Sequence, residues 1–193
     1  MVGNISRNAI FSYREIRSSE ASVIFSNRIP DVLPLSYNSL GFAANSTSAL
    51  GNLVELNGSP RVADHVEVIM VTWASAANYP ALAGLDSGGY RHPITASIYQ
   101  LTTNSAGASS VVQLDQATVQ VHVPWRPATL PNGSPYPYNG FAFKALIPLA
   151  ASIIVPGNCI VAIGFNTQNS GASPLGVPGP YNELNLALSS ALP

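Results

Sequence analysis

Two short stretches restrict this chain more than anything else in it. In residues 65–70 (HVEVIM) Val66, Val68 and Met70 alternate with His65, Glu67 and Ile69, and in residues 118–123 (TVQVHV) Val119, Val121 and Val123 alternate with Thr118, Gln120 and His122. A helix repeats every 3.6 residues, so a pattern of period two gathers its apolar residues on one side only in an extended strand. The abundance of β-branched valine points the same way. Both segments therefore read as half-buried strands.

Further strand-like runs cover residues 21–25 (ASVIF), 50–56, 93–101 (PITASIYQL), 111–123, 140–149 (GFAFKALIPL), 159–167 (CIVAIGFNT) and 181–189 (YNELNLALS). Clusters of Gly, Pro and Asn divide them, among them NGSP at residues 57–60 and again at 132–135. Asn and Gly accept the positive φ of a tight turn, and Pro follows the bend. Short strands between turn signals predict an all-β fold: an antiparallel β-sandwich, jelly-roll-like, of about 8–10 strands. A chain of 193 residues fits a single domain, 1–193, and buries roughly 70% of its unfolded surface without needing disulfides. The charged stretch at residues 13–20 reads as the one short helix. Residues 1–28 read as an N-terminal extension or an appended strand, which either completes its own sandwich or pairs with a neighbouring subunit's sheet edge.

Charge then removes whole classes of partner. Only 9% of the residues are charged and the formal net charge is -1, against about 25% charged in an average soluble protein. Nucleic-acid binding rests on clustered Lys and Arg, so nucleic acid is not an expected partner. No apolar run approaches the ~18 residues of a membrane span, which argues against membrane insertion. The low charge and the many Ser, Thr, Asn and Gly residues suit a secreted or cell-surface protein. The first residues lack the apolar core of a signal peptide, so either the protein stays inside the cell or Met1 stands where a leader was removed, and the composition favours the second. A single cysteine, Cys159, excludes an intramolecular disulfide and sits in CIVAIGF as a small hydrophobe.

If the strands from residue 62 onward each cross the sandwich once, the connections alternate between its two ends. Residues 74–92, 124–139 and 168–180 then share one end, and residues 102–110 and 150–158 share the other. The first set carries or borders both tryptophans and five tyrosines, whereas the second has no aromatic residue. Loops displayed on a rigid sandwich commonly carry recognition. Tyr79, Tyr90, Trp125, Arg126, Tyr136, Tyr138 and Tyr181 are therefore the candidate ligand or partner contacts. The competing reading is that these rings fold inward and cap the open end of the core. Trp73 and Trp125, which each abut a strand, read as caps. Arg126, locked between the prolines of PWRP, offers a guanidinium to a carboxylate or aromatic ring, or pins the loop by a salt bridge.

Catalytic chemistry is thinly represented. His65, His92 and His122 lie far apart without metal-ligand spacing, and each reads as structural. Ser87 beside Asp86 in GLDSGG lacks the nucleophile pattern G-x-S-x-G and reads as a turn. Asp64, Glu67, Asp115 and Glu183 are the acids from which a glycosidase pair would have to come. The expectation is no enzyme, no catalytic residue, no metal site and no cofactor, with a structural calcium on Asp31, Asp86 or Glu55 left open. Sequons at Asn4, Asn45, Asn57 and Asn132 occur in a chain so rich in Asn, Ser and Thr that they decide nothing.

The blocks VEVIMVTWA, YRHPITASIYQL, VQVHVPWRPA, YNGFAFKALIPL, IVPGNCIVAIGFNT and PYNELNLALS, in this order over residues 62–190, resemble a family of uncharacterised secreted bacterial all-β proteins. That resemblance implies export and an all-β domain, and carries over no activity or catalytic residue. Relatives in that family often place cysteines in the loops matching residues 74–92 and 124–139, where this chain has none. The expected function is a structural, adhesive or self-assembling extracellular role, its partner being a further copy of itself in an oligomer or fibre, or an extracellular glycan or protein. The alternative is a carbohydrate-binding module using the aromatic loop end, and the remote one is a hydrolase.

Overall fold

The alternating segment at residues 65–70 lies in the middle of a sheet. The structure, a computed structural model, describes residues 11–16, 21–26, 32–56, 61–107 and 109–188. Among them run β1 (Phe11–Ile16), β2 (Ala21–Ser26), β3 (Ser39–Gly41), β4 (Leu50–Glu55), β5 (Val62–Thr72), β6 (Gly89–Thr103), β7 (Ser109–Pro124), β8 (Phe141–Ile154), β9 (Asn158–Gly164) and β10 (Leu184–Ala187). Two four-residue helices, α1 (Phe42–Asn45) and α2 (Pro80–Ala83), and a 3₁₀ turn at Pro180–Glu183 sit in the connections. No helix among the described residues is long and apolar enough to cross a membrane.

The strands form two antiparallel sheets, one ordered β4-β9-β6-β7 and the other built around β5. β8 follows one edge of β5 from Val62 opposite Ile154 to Thr72 opposite Phe141. The other edge is shared end to end: β1 pairs with Val66–Val68 and β10 with Met70–Thr72. β2 extends the sheet beyond β1, and β3 extends it beyond β10. The chain is an all-β sandwich, as its periodicity predicts.

Side chains of alternate residues meet between the sheets. Val66, Val68 and Met70 from β5 face a core shared with Ile94, Ala96 and Ile98 of β6, Ile147 of β8, Ile163 of β9 and Leu186 of β10. Phe42 of α1 closes one end by stacking on Phe165 with ring centres 3.9 Å apart. The outer face of the β5 sheet is covered in part by the strap at residues 32–38, whose Leu33 and Tyr37 pack on Ile69, Val71, Ala142 and Ala187.

Three local expectations are corrected. Residues 13–16 belong to β1 rather than to a helix, because the free edge of β5 supplies the backbone partners that a short isolated helix would lack. Residues 152–154 continue β8 instead of lying in a connection; because they extend an existing strand, the alternation of loop ends is kept. Residues 181–183 form a 3₁₀ turn ahead of β10, since Pro180 cannot donate to a sheet ladder.

Candidate functional site

Backbone bonds knit three connections into one end of the sandwich. Trp73 N donates to Glu183 O at 2.9 Å, Arg126 N to Ala74 O at 2.7 Å and Trp125 N to Gly88 O at 3.1 Å. Gln168 N donates to the Asn182 Oδ1 at 2.8 Å. Residues 74–88, 125–140 and 165–183 thus meet, as strand parity requires. The proline-rich segment is itself ordered: Leu130 N bonds Ser134 O at 2.7 Å and Tyr136 N bonds Ala128 O at 2.9 Å. Its NGSP turn places Gly133 at φ +83, where a Cβ would be strained.

Most of the aromatic candidates at this end turn inward. Trp125 and Tyr90 are each 7% exposed. Their ring centres are 5.2 Å apart, and Tyr79 stacks on Trp125 at 6.1 Å. Each polar tip is satisfied within the loops: Trp125 Nε1 donates to Asp86 O at 3.0 Å, Tyr90 OH to Pro180 O at 3.1 Å and Tyr79 OH to Glu183 Oε1 at 2.5 Å. Burial, reinforced by the Glu183 carboxylate, pushes the Tyr79 hydroxyl well above the ordinary tyrosine range. Burial does the same to Tyr90.

Tyr181 stacks on His92 at 5.4 Å and donates to Val177 O at 2.6 Å. His92 Nε2 donates to Asn166 O at 2.8 Å, and burial holds its imidazole below the usual histidine pKa. Tyr136 is buried, donates to Leu35 O and Gly140 O, and meets Tyr138 edge-on at 6.0 Å. Tyr79, Tyr90 and Trp125 cap the core, whereas Tyr136 is buried beside the strap at Leu35.

Two rings remain outside. Trp73 and Tyr138 are each 45% exposed. The exposure of Trp73 corrects its expected place as a cap, and the strand explains it: Val68, Met70 and Thr72 face the core, so Trp73 follows Ile69 and Val71 onto the outer face. Arg126 links the two backbones, its Nε donating to Trp73 O at 3.2 Å and its Nη1 reaching Tyr138 O at 3.5 Å. Among the described residues the loop is pinned through carbonyls and not through a salt bridge.

A second concavity lies on the outer face of the β4-β9-β6-β7 sheet, a groove of about 560 Å³. Strand alternation builds it. Thr95, Ser97 and Tyr99 stand on the outward register of β6, and Gln116 and Thr118 on that of β7. Ala162 and Gly164 of β9 keep the floor low, and Phe165, Asn166 and Ala172 form a wall from the loop after β9. Thr95 and Thr118 hydroxyls pair at 2.8 Å, and Gln116 Nε2 donates to Ser97 Oγ at 3.1 Å. Among the described residues no charged side chain lines the groove. Sequence reasoning passed over it because Thr, Ser and Gln on the polar register of a strand read as a solvated face.

The ionisable groups fall into separate pairs. Asp64 lies 2.6 Å from His65, Asp86 3.1 Å from His122 and Glu67 3.7 Å from Lys144. Asp115 Oδ1 accepts from Gln116 N, and Glu183 is engaged by Tyr79. Asp86, a calcium candidate, accepts from Gly88 N, which is the main cause of its lowered pKa. Glu55 sits on β4, and Asp31 lies outside the described residues. No three His, Cys, Asp or Glu side chains cluster among the described residues. Cys159 is buried in β9, its thiol pushed up to about 12 by burial.

Compared with protein-family models, curated proteins and solved structures, the chain matches none of them.

Proposed function

We propose that this protein is a secreted or cell-surface, non-catalytic recognition domain that binds a neutral glycan in the groove on the β4-β9-β6-β7 sheet. One observation carries the reading: a concavity of about 560 Å³ with hydroxyl and amide groups beside a low apolar floor, a half-buried tyrosine ring at Tyr99 and no charged side chain among the described residues that line it. Sugars offer many hydroxyls that both donate and accept, and Ser, Thr, Gln and Asn answer in kind. A tyrosine face supplies apolar contact for the C–H side of a pyranose. The rigid sheet holds these groups in place before binding, which limits the entropy lost. The test is a glycan array followed by titration of the best neutral hit against Gln116→Ala and Tyr99→Ala. The reading expects each variant to weaken binding by about tenfold or more, as the loss of a partner in a polar site does. An array without a neutral hit, or a hit that both folded variants retain, defeats it.

A structural, self-assembling role is supported by a different feature. β7 is a long edge strand whose N-terminal part exposes Val111 (42%) and Val112 (53%). Exposed edges with apolar side chains invite pairing with another copy. This reading expects association that rises with concentration in sedimentation velocity and is lost in Val112→Lys. A monomer at every concentration retires it.

A further inference from the structure

The outward half of the loop end is a different kind of surface from the groove. Trp73 and Tyr138 are each nearly half exposed, in a molecule whose other loop-end rings are largely buried. They belong to one patch. The Trp73 indole lies against Gly140, where a Cβ would come within 2.9 Å of its Nε1. The Gly140 carbonyl accepts the Tyr136 hydroxyl at 3.3 Å, and the Tyr136 ring meets Tyr138 edge-on. Any side chain at position 140 would displace the indole.

Arg126 supplies the charge. Its backbone N–H is fixed by Ala74 O, and prolines precede and follow it. Its guanidinium spends Nε on the Trp73 carbonyl and one Nη1 hydrogen on the Tyr138 carbonyl, both at the surface. A guanidinium has five N–H donors, so three stay available. No carboxylate is paired with Arg126 among the described residues, although Lys144, Asp64 and Asp86 all have partners of opposite or titratable charge. The positive charge is thus held in position by the carbonyls of the two residues whose rings are exposed, with no carboxylate against it among the described residues.

We infer that Trp73, Arg126 and Tyr138 form a binding site for a carboxylated sugar, a uronate residue, with its carboxylate on the guanidinium and its apolar C–H face against an aromatic ring. The planar fork of arginine matches a carboxylate better than a lysine ammonium does. The rings suit a pyranose. A peptide C-terminus is commonly captured by a nest of backbone N–H groups, and the backbone groups that Arg126 engages here are carbonyls, which accept and cannot donate to a carboxylate. The inference needs this patch alone and stands apart from the groove.

The experiment titrates trigalacturonate, its fully methyl-esterified form and an acetylated tripeptide with a free carboxyl terminus into the whole protein at low salt. The acid trisaccharide should bind saturably, and the ester, which keeps the rings and loses the charge, should bind about tenfold more weakly or worse. Arg126→Gln should reproduce that loss, Arg126→Lys should restore only part of it, and added salt should weaken the wild-type complex. Tyr138→Ala, whose ring is at the surface, keeps the test open if Arg126→Gln fails to fold, and should also weaken binding. Gln116→Ala in the groove should leave this binding unchanged, so a failure of the neutral-glycan reading would not imitate a failure here. Equal binding of acid and ester, preference for the peptide, or no saturable binding at millimolar concentration would overturn the inference.

Discussion

The loop end and the sheet-face groove divide the labour of this molecule in opposite ways. The loop end holds most of the large aromatic residues, yet Tyr90 and Trp125 are spent closing the core and Tyr136 is buried under the strap, each with its polar tip bonded to a loop carbonyl. The groove has one half-buried tyrosine and a set of small hydroxyl and amide residues, of which Gln116 and Thr118 face solvent. Aromatic density by itself therefore marks stiffness here. Concavity with hydroxyl and amide groups that keep further hydrogen-bonding capacity marks the better candidate for recognition.

The contrast breaks most sharply on the two tryptophans. Trp125, 7% exposed, should cost about 3–5 kcal/mol of stability when replaced by Ala, through lost burial and the void left beneath Tyr79 and Tyr90. Trp73→Ala should cost under about 1 kcal/mol, because nearly half of that ring is already in water. Urea unfolding of both variants measures the difference, and equal losses would mean that the inward and outward halves are not distinct. A smaller effect is expected from Tyr79→Phe, about 1–2 kcal/mol in the same assay, since it removes the hydroxyl bonded to Glu183 and leaves the ring. No loss would show that the bond holds nothing together.

Acid sharpens the same comparison. His92 fastens the loop after β9 to β6 and is held neutral by burial, with a folded pKa below 6.5. As pH falls through about 6.5 the unfolded chain takes up a proton that the folded chain refuses, so stability present above that pH is lost on acidification. Thermal midpoints from pH 8 to 5 should fall for the wild type and fall less for His92→Gln. Parallel slopes would remove His92 from the account. The smallest expected effect is at the groove: Thr118→Ala should change stability by no more than about 0.5 kcal/mol. A larger loss would make the groove part of the scaffold.

Period-two alternation in HVEVIM and TVQVHV was enough to reach an antiparallel sandwich, and parity alone gathered the three long connections at one end. The orientation of the tryptophans was legible too. Counting on from Val66, Val68 and Met70 sends Trp73 outward, while counting on from Val121 and Val123 sends Trp125 inward. The two had been grouped because each abuts a strand, which ignores that they stand on opposite registers. β1 was not legible, because FSYREI becomes a strand only when the lower edge of β5 offers it backbone partners that no local signal encodes. The groove was not legible for a related reason: Thr95, Thr118, Gln116 and Ser97 are distant in sequence, and only the register between β6 and β7 sets them side by side.

The central claim, that neutral-glycan recognition belongs to the sheet face, is tested most directly by mapping amide shifts in a ¹H–¹⁵N spectrum as the best neutral oligosaccharide from the array is added. The account predicts saturable shifts centred on Thr95, Ser97, Tyr99, Gln116 and Thr118, with Trp73 and Tyr138 unmoved. Shifts centred on the loop end, with the groove silent, would contradict it.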